Sequence, residues 1–134
     1  MASIIDVEGI GPEYAEKLKK VGVRSTGALL KRGATKQGRQ DLAEDTAISE
    51  KLILEWVNHA DLYRIKGVGE EYSDLLEEAG VDTVVELAQR VPANLYAKMV
   101  EVNEARELVR RLPTEKQVAA WVAQAKKLPR AVHY

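Results

Sequence analysis

Gly9-Ile10-Gly11-Pro12-Glu13-Tyr14-Ala15 recurs 58 positions further on as Gly67-Val68-Gly69-Glu70-Glu71-Tyr72-Ser73. The first copy follows Ile4, Ile5 and Val7, the second follows Leu62 and Ile65, and each opens a helical run. This is the layout of two helices joined by a tight turn. The match continues at the same spacing through Leu18 and Leu76, Gly22 and Gly80, Val23 and Val81, and Leu29 and Leu87. Later the spacing becomes 65, where Glu50, Lys51, Trp56, Val57 and Ala60 match Glu115, Lys116, Trp121, Val122 and Ala125. The second copy therefore holds seven extra residues, expected around Tyr96 to Arg106. On this reading the chain divides into units over residues 3–60 and 61–128, with a C-terminal tail at 129–134.

A second, eroded hairpin lies inside the first unit. Ala47-Ile48-Ser49-Glu50-Lys51-Leu52-Ile53 stands 38 residues after the first hairpin and keeps its small, apolar, small pattern. Leu112-Pro113-Thr114, with Val118 in place of Ile53, is the more degenerate counterpart in the second unit. Gly22 and Gly80 sit where glycine ends a helix, and new helices are marked at Ser25 or Thr26, Thr35, Ser49, Thr83 and Thr114. Thr83 and Glu86 have the spacing of a capping box, and Pro12 falls in a first helical turn, where its missing N–H costs nothing. No segment alternates like a strand, so the expected fold is all-α: two tandem units, each a pair of hairpins bridged by a short connecting helix.

Composition narrows the function. With 46% hydrophobic and 31% charged residues among 134, the chain has the profile of a soluble globular protein. There is no Cys, and His59 and His133 cannot assemble a zinc site. No run is long enough to span a membrane, and no leader pattern precedes the first hairpin, so a cytoplasmic protein is expected. His59 near Asp61 has no nucleophile beside it, and no carboxylate spacing suggests metal binding or acid–base work. The expectation is a protein without catalytic residues, metal, cofactor, membrane or small-molecule substrate. Trp56 and Trp121 repeat on helices with the spacing of core positions, and Tyr14 and Tyr72 are expected to pack with their hydroxyls at the rim.

The net charge of -1 conceals an asymmetry between equivalent segments. Lys17, Lys19, Lys20, Arg24, Lys31, Arg32, Lys36 and Arg39 form a run with no acid, whereas Glu70, Glu71, Asp74, Glu77, Glu78, Asp82 and Glu86 form one with no base. An unbroken run of one sign exceeds the mixed pattern of an ordinary helical surface and points to electrostatic docking. In each hairpin the first glycine permits backbone angles closed to other residues, and the second lets the backbone approach a ligand or a neighbouring helix. Beyond the second glycine, free amides at the positive end of a helix accept an anion such as a phosphate. In the first hairpin the donors are Gly11, Glu13 and Tyr14.

Val7-Glu8-Gly9-Ile10-Gly11-Pro12-Glu13-Tyr14-Ala15 closely resembles the helix-hairpin-helix pattern of DNA repair and recombination proteins, and the tandem arrangement resembles the double-hairpin domain of that superfamily. Over residues 3–134 the chain is also similar to a bacterial family of helix-hairpin-helix domains without an assigned function. The resemblance implies a grip on the sugar-phosphate backbone that reads no bases, although related hairpins serve purely in protein contacts. Members that bind DNA commonly place a base after the second glycine, where this chain has Glu13 and, in the second hairpin, Glu70-Glu71. The expected nucleic-acid set is Gly9, Gly11, Glu13, Tyr14, Lys17, Lys20, Arg24, Lys31, Arg32, Lys36 and Arg39, holding DNA or RNA without sequence preference. The alternative is a protein-interaction or self-assembly module in which the basic 17–39 face meets the acidic 67–89 face, with Glu70, Glu71, Tyr72, Asp74, Glu77 and Glu78 as contact residues.

Overall fold

Ser25, Thr35 and Thr114 each turn a side-chain oxygen onto the amide three residues ahead, at 3.1, 3.0 and 3.1 Å, and a helix begins beside each of them. The computed structural model describes residues 3–134. Its helices are α1 (Pro12–Lys20), α2 (Thr26–Arg32), α3 (Lys36–Thr46), α4 (Glu50–Leu62), α5 (Glu70–Glu78), α6 (Val84–Ala88), α7 (Pro92–Arg106) and α8 (Glu115–Ala125). One 3-10 turn, Ile4–Asp6, precedes α1. Among the described residues the only extended pairing is an isolated bridge between Ser3 and Ser25. The fold is all-α.

The box expected of Thr83 and Glu86 forms by half. Thr83 accepts the Glu86 amide at 3.3 Å, but the Glu86 carboxylate takes the amide of Asp82, one residue earlier, at 2.8 Å. Complete boxes form instead at Ser3 with Asp6 and at Thr114 with Gln117. The extra residues of the second copy are also spread more widely than expected. Helix α7 has 15 residues against 11 in α3, and the connection after it runs over 107–114 where the first copy has only 47–49.

Two compact units result. The first ends at Asp61 and takes in Ala131–Tyr134; the second is Leu62–Arg130. The last residues thus belong to the first unit instead of forming a separate tail. Ile4, Val7, Ile10, Leu18, Val23, Leu29, Leu42, Ile53, Trp56 and Val57 are buried in the first unit. In the second, α8 packs against α6 and α7, and α5 packs against α7. Leu75, Leu76, Val81, Leu87, Leu95, Met99, Val118, Trp121 and Val122 fill the space among them.

The repeat holds at the level of single bonds. Ile10 and Val68 donate to Val7 and Ile65 at 3.0 and 3.1 Å; Ala15 and Ser73 donate to Gly11 and Gly69 at 2.9 and 2.8 Å. Helices α1 and α5 end alike, with Val23 donating to Leu18 at 2.9 Å and Val81 to Leu76 at 2.8 Å around left-handed Gly22 and Gly80. Ala15 and Ser73 are buried, as small residues between closely packed helices must be.

Candidate nucleic-acid interface

The two glycines of each hairpin do different work. Gly9 and Gly67 have φ of 92° and 98°, in the left-handed region that disfavours side chains. A Cβ on either would also stand 3.2 or 3.1 Å from the indole nitrogen of Trp56 or Trp121. Gly11 and Gly69 are the N-caps of α1 and α5 and have ordinary extended angles, φ −85° and −114°. A Cβ there would meet nothing within 4 Å. The internal packing therefore requires the first glycine and leaves open ground at the second.

No side chain caps α1, and Pro12 opens it. The N–H groups of Glu13 and Tyr14 precede Ala15, whose amide makes the first bond back to Gly11, so they are the unfilled donors of the helix end. At 1.5 Å per residue, Lys17 stands about one turn beyond them and Lys20 about two. Arg24 follows the α1 end, and the Arg32 guanidinium is brought to the same end by donating to Val21 O at 3.0 Å. Lys17 is half-buried, while Lys20, Arg24 and Lys31 are exposed.

Two of the expected cations have internal employment. Arg39 is 5% exposed, donates from Nη1 to Gly33 O and from Nη2 to His133 O, both at 2.8 Å, and stacks over the Tyr134 ring. This guanidinium is engaged by backbone carbonyls within its own unit. The cause is periodicity: Arg39, Leu42 and Thr46 form the inward stripe of α3. Arg32 also reaches Asp45 at 3.7 Å, and its repeat partner Arg90 makes the same kind of bond, Nη1 to Ala79 O at 3.4 Å. The second unit has Leu75, Glu78, Asp82 and Gln89 where the first has Lys17, Lys20, Arg24 and Lys31, yet it keeps this arginine. Arg32 is therefore a helix-end brace first. Lys36 opens α3 and lines a cleft of about 400 Å³ with Arg39, Glu50, Lys51, Leu54 and Tyr134.

The second hairpin has the same backbone and a different rim. Gly67, Gly69, Glu70, Glu71 and Tyr72 line a shallow cleft of about 500 Å³. Tyr72 donates its hydroxyl to Arg111 O at 2.9 Å, from the connection that the extra residues lengthen. Glu78 pairs with Arg106 at the end of α7. Glu77 is in the last turn of α5, and both it and Asp74 are half-buried. Sequence reasoning placed Trp56 and Trp121 in the core, where they are, but missed the position of their indole nitrogens against Gly9 and Gly67.

These features define an all-α protein built from two copies of one glycine-hairpin unit, basic over 17–39 in the first and acidic over 67–89 in the second. The chain belongs to the family described as Domain of unknown function (DUF4332), whose model matches residues 8–128. No curated protein and no solved structure matches it. Among the described residues no helix is long and apolar enough to cross a membrane.

Proposed function

We propose that the chain is a non-enzymatic helix-hairpin-helix protein that holds the phosphate backbone of DNA or RNA, without reading sequence, through its first unit. The observation that carries this reading is Gly11. Its angles suit any residue and its Cβ position is open, as at Gly69, but here the helix it caps leads to Lys17, Lys20 and Arg24 instead of Leu75, Glu78 and Asp82, which supports phosphate approach at the Glu13 and Tyr14 amides. Lys17 and Lys20 on α1, Arg24 after it and Lys31 on α2 supply cations for neighbouring phosphates on this reading. The test is fluorescence anisotropy on mixed-sequence duplex DNA over a range of salt. Affinity falls with salt by about 0.9 log units per log unit for each phosphate neutralised. Replacing Lys17, Lys20 and Arg24 together with Gln reduces that slope by about 3. Binding no stronger than that of a charge-matched control at low salt refutes the reading.

The second hairpin supports a different use. Glu70 and Glu71 line its cleft and occupy the positive field that a phosphate needs. This favours contact with a basic protein, or with the basic face of a second copy, as the role of that unit.

A further inference from the structure

We infer that the indole N–H of Trp56 is a ligand-donating group of the first hairpin, acting with the α1 amides on one phosphodiester; this rests on the phosphate reading above. Trp56 is 1% exposed, and its ring packs against Tyr14 with centroids 5.1 Å apart. A buried tryptophan ordinarily finds an acceptor for its N–H, because an unmet donor forfeits its hydration. Among the described residues none accepts from Trp56 Nε1, and none of their fully enclosed side-chain nitrogens or oxygens lacks a partner. Nε1 therefore reaches solvent, and it does so beside Gly9, where a Cβ would stand 3.2 Å away. Glycine at that place keeps the donor uncovered.

The arrangement is built twice. Trp121 is 3% exposed, packs against Tyr72 at 5.3 Å, and sets Nε1 3.1 Å from the Cβ position of Gly67. A leucine or phenylalanine would fill either core without leaving a donor at the surface. In the first hairpin the indole and the helix end flank the short stretch from Gly9 to Gly11. The ring face of Trp56 is covered and Tyr14 is half-buried, so the site offers no platform for stacking bases. Its ligand is the phosphodiester itself. The second hairpin follows its glycines with Glu70 and Glu71 where the first has Pro12 and Glu13, and the extra acid disfavours that ligand and makes Trp121 an internal reference.

With two tryptophans, the nitrogen–proton correlation spectrum of the full chain has two side-chain indole signals. Titration with mixed-sequence duplex DNA moves the Trp56 signal in step with the anisotropy and leaves that of Trp121 in place. Inorganic phosphate moves the Trp56 signal in the same direction at much higher concentration. Replacing Trp56 by benzothienylalanine, which keeps the ring shape and removes the N–H, weakens DNA binding about ten-fold with an unchanged melting temperature. DNA binding with a stationary Trp56 signal, or with both indole signals moving alike, overturns the inference and leaves the phosphate reading standing. Absence of DNA binding at low salt removes both.

Discussion

Gly9 and Gly11 stand two residues apart and answer to different constraints, which substitution separates. Gly11→Ser places a better N-cap on α1 at a position with ordinary angles and free space, so stability stays level or rises by a few tenths of a kcal/mol. The same side chain occupies the approach to the Glu13 and Tyr14 amides, and DNA affinity drops about ten-fold. Thermal melting alongside anisotropy checks the pair of outcomes; a parallel loss of both would make Gly11 a packing residue. The sequence showed both glycines but could not apportion their roles, because the roles depend on what lies opposite: an indole nitrogen at one and nothing at the other. Trp56 was legible as a core residue from its spacing. The direction of its N–H was not, since a helical period places a ring without orienting it.

At the scale of elements, the repeat sorts supporting cations from those proposed to dock phosphate. Arg32 and Arg90 brace the ends of α1 and α5 in the same way. Arg32→Ala and Arg90→Ala therefore destabilise by similar amounts, about 1–2 kcal/mol in urea titrations, and neither changes the salt dependence of DNA binding by as much as removal of Lys20. Arg39→Ala strips donors from Gly33 O and His133 O and costs about 2–4 kcal/mol, with DNA affinity preserved in the folded protein. Accelerated exchange of the His133 amide, which donates to Ala34 O at 2.7 Å, reports that loss locally. An eight-base run reads as one face in a linear sequence. Helix α3 turns Arg39 inward with Leu42 and Thr46, and that stripe was the signal available to tell it from its neighbours. The helix starts at Ser25, Thr35, Thr83 and Thr114 were readable because a cap is a local device, whereas the reach of Glu86 to Asp82 depends on how the turn before α6 is folded.

For the molecule as a whole, the net charge of -1 says little, because one fold carries two charge patterns. The phosphate reading makes binding a property of the first unit and predicts steep weakening with salt. The self-assembly reading makes association a property of both and also predicts weakening with salt, but in the absence of nucleic acid. Light scattering over protein and salt concentration separates them: the chain on its own is a monomer at low salt if the basic face serves phosphate, and forms salt-sensitive larger species if it serves the acidic face of another copy.

The bond from Arg39 to His133 joins residues 94 positions apart, and Ala131–Tyr134 complete a unit whose remainder ends at Asp61. On the ribosome, the whole of Leu62–Arg130 emerges before that closing contact can form. The first unit is thus synthesised early and finished late. Closing a loop that long costs entropy that only the formed contacts return. The second unit, continuous in sequence, needs no such distant segment to complete it.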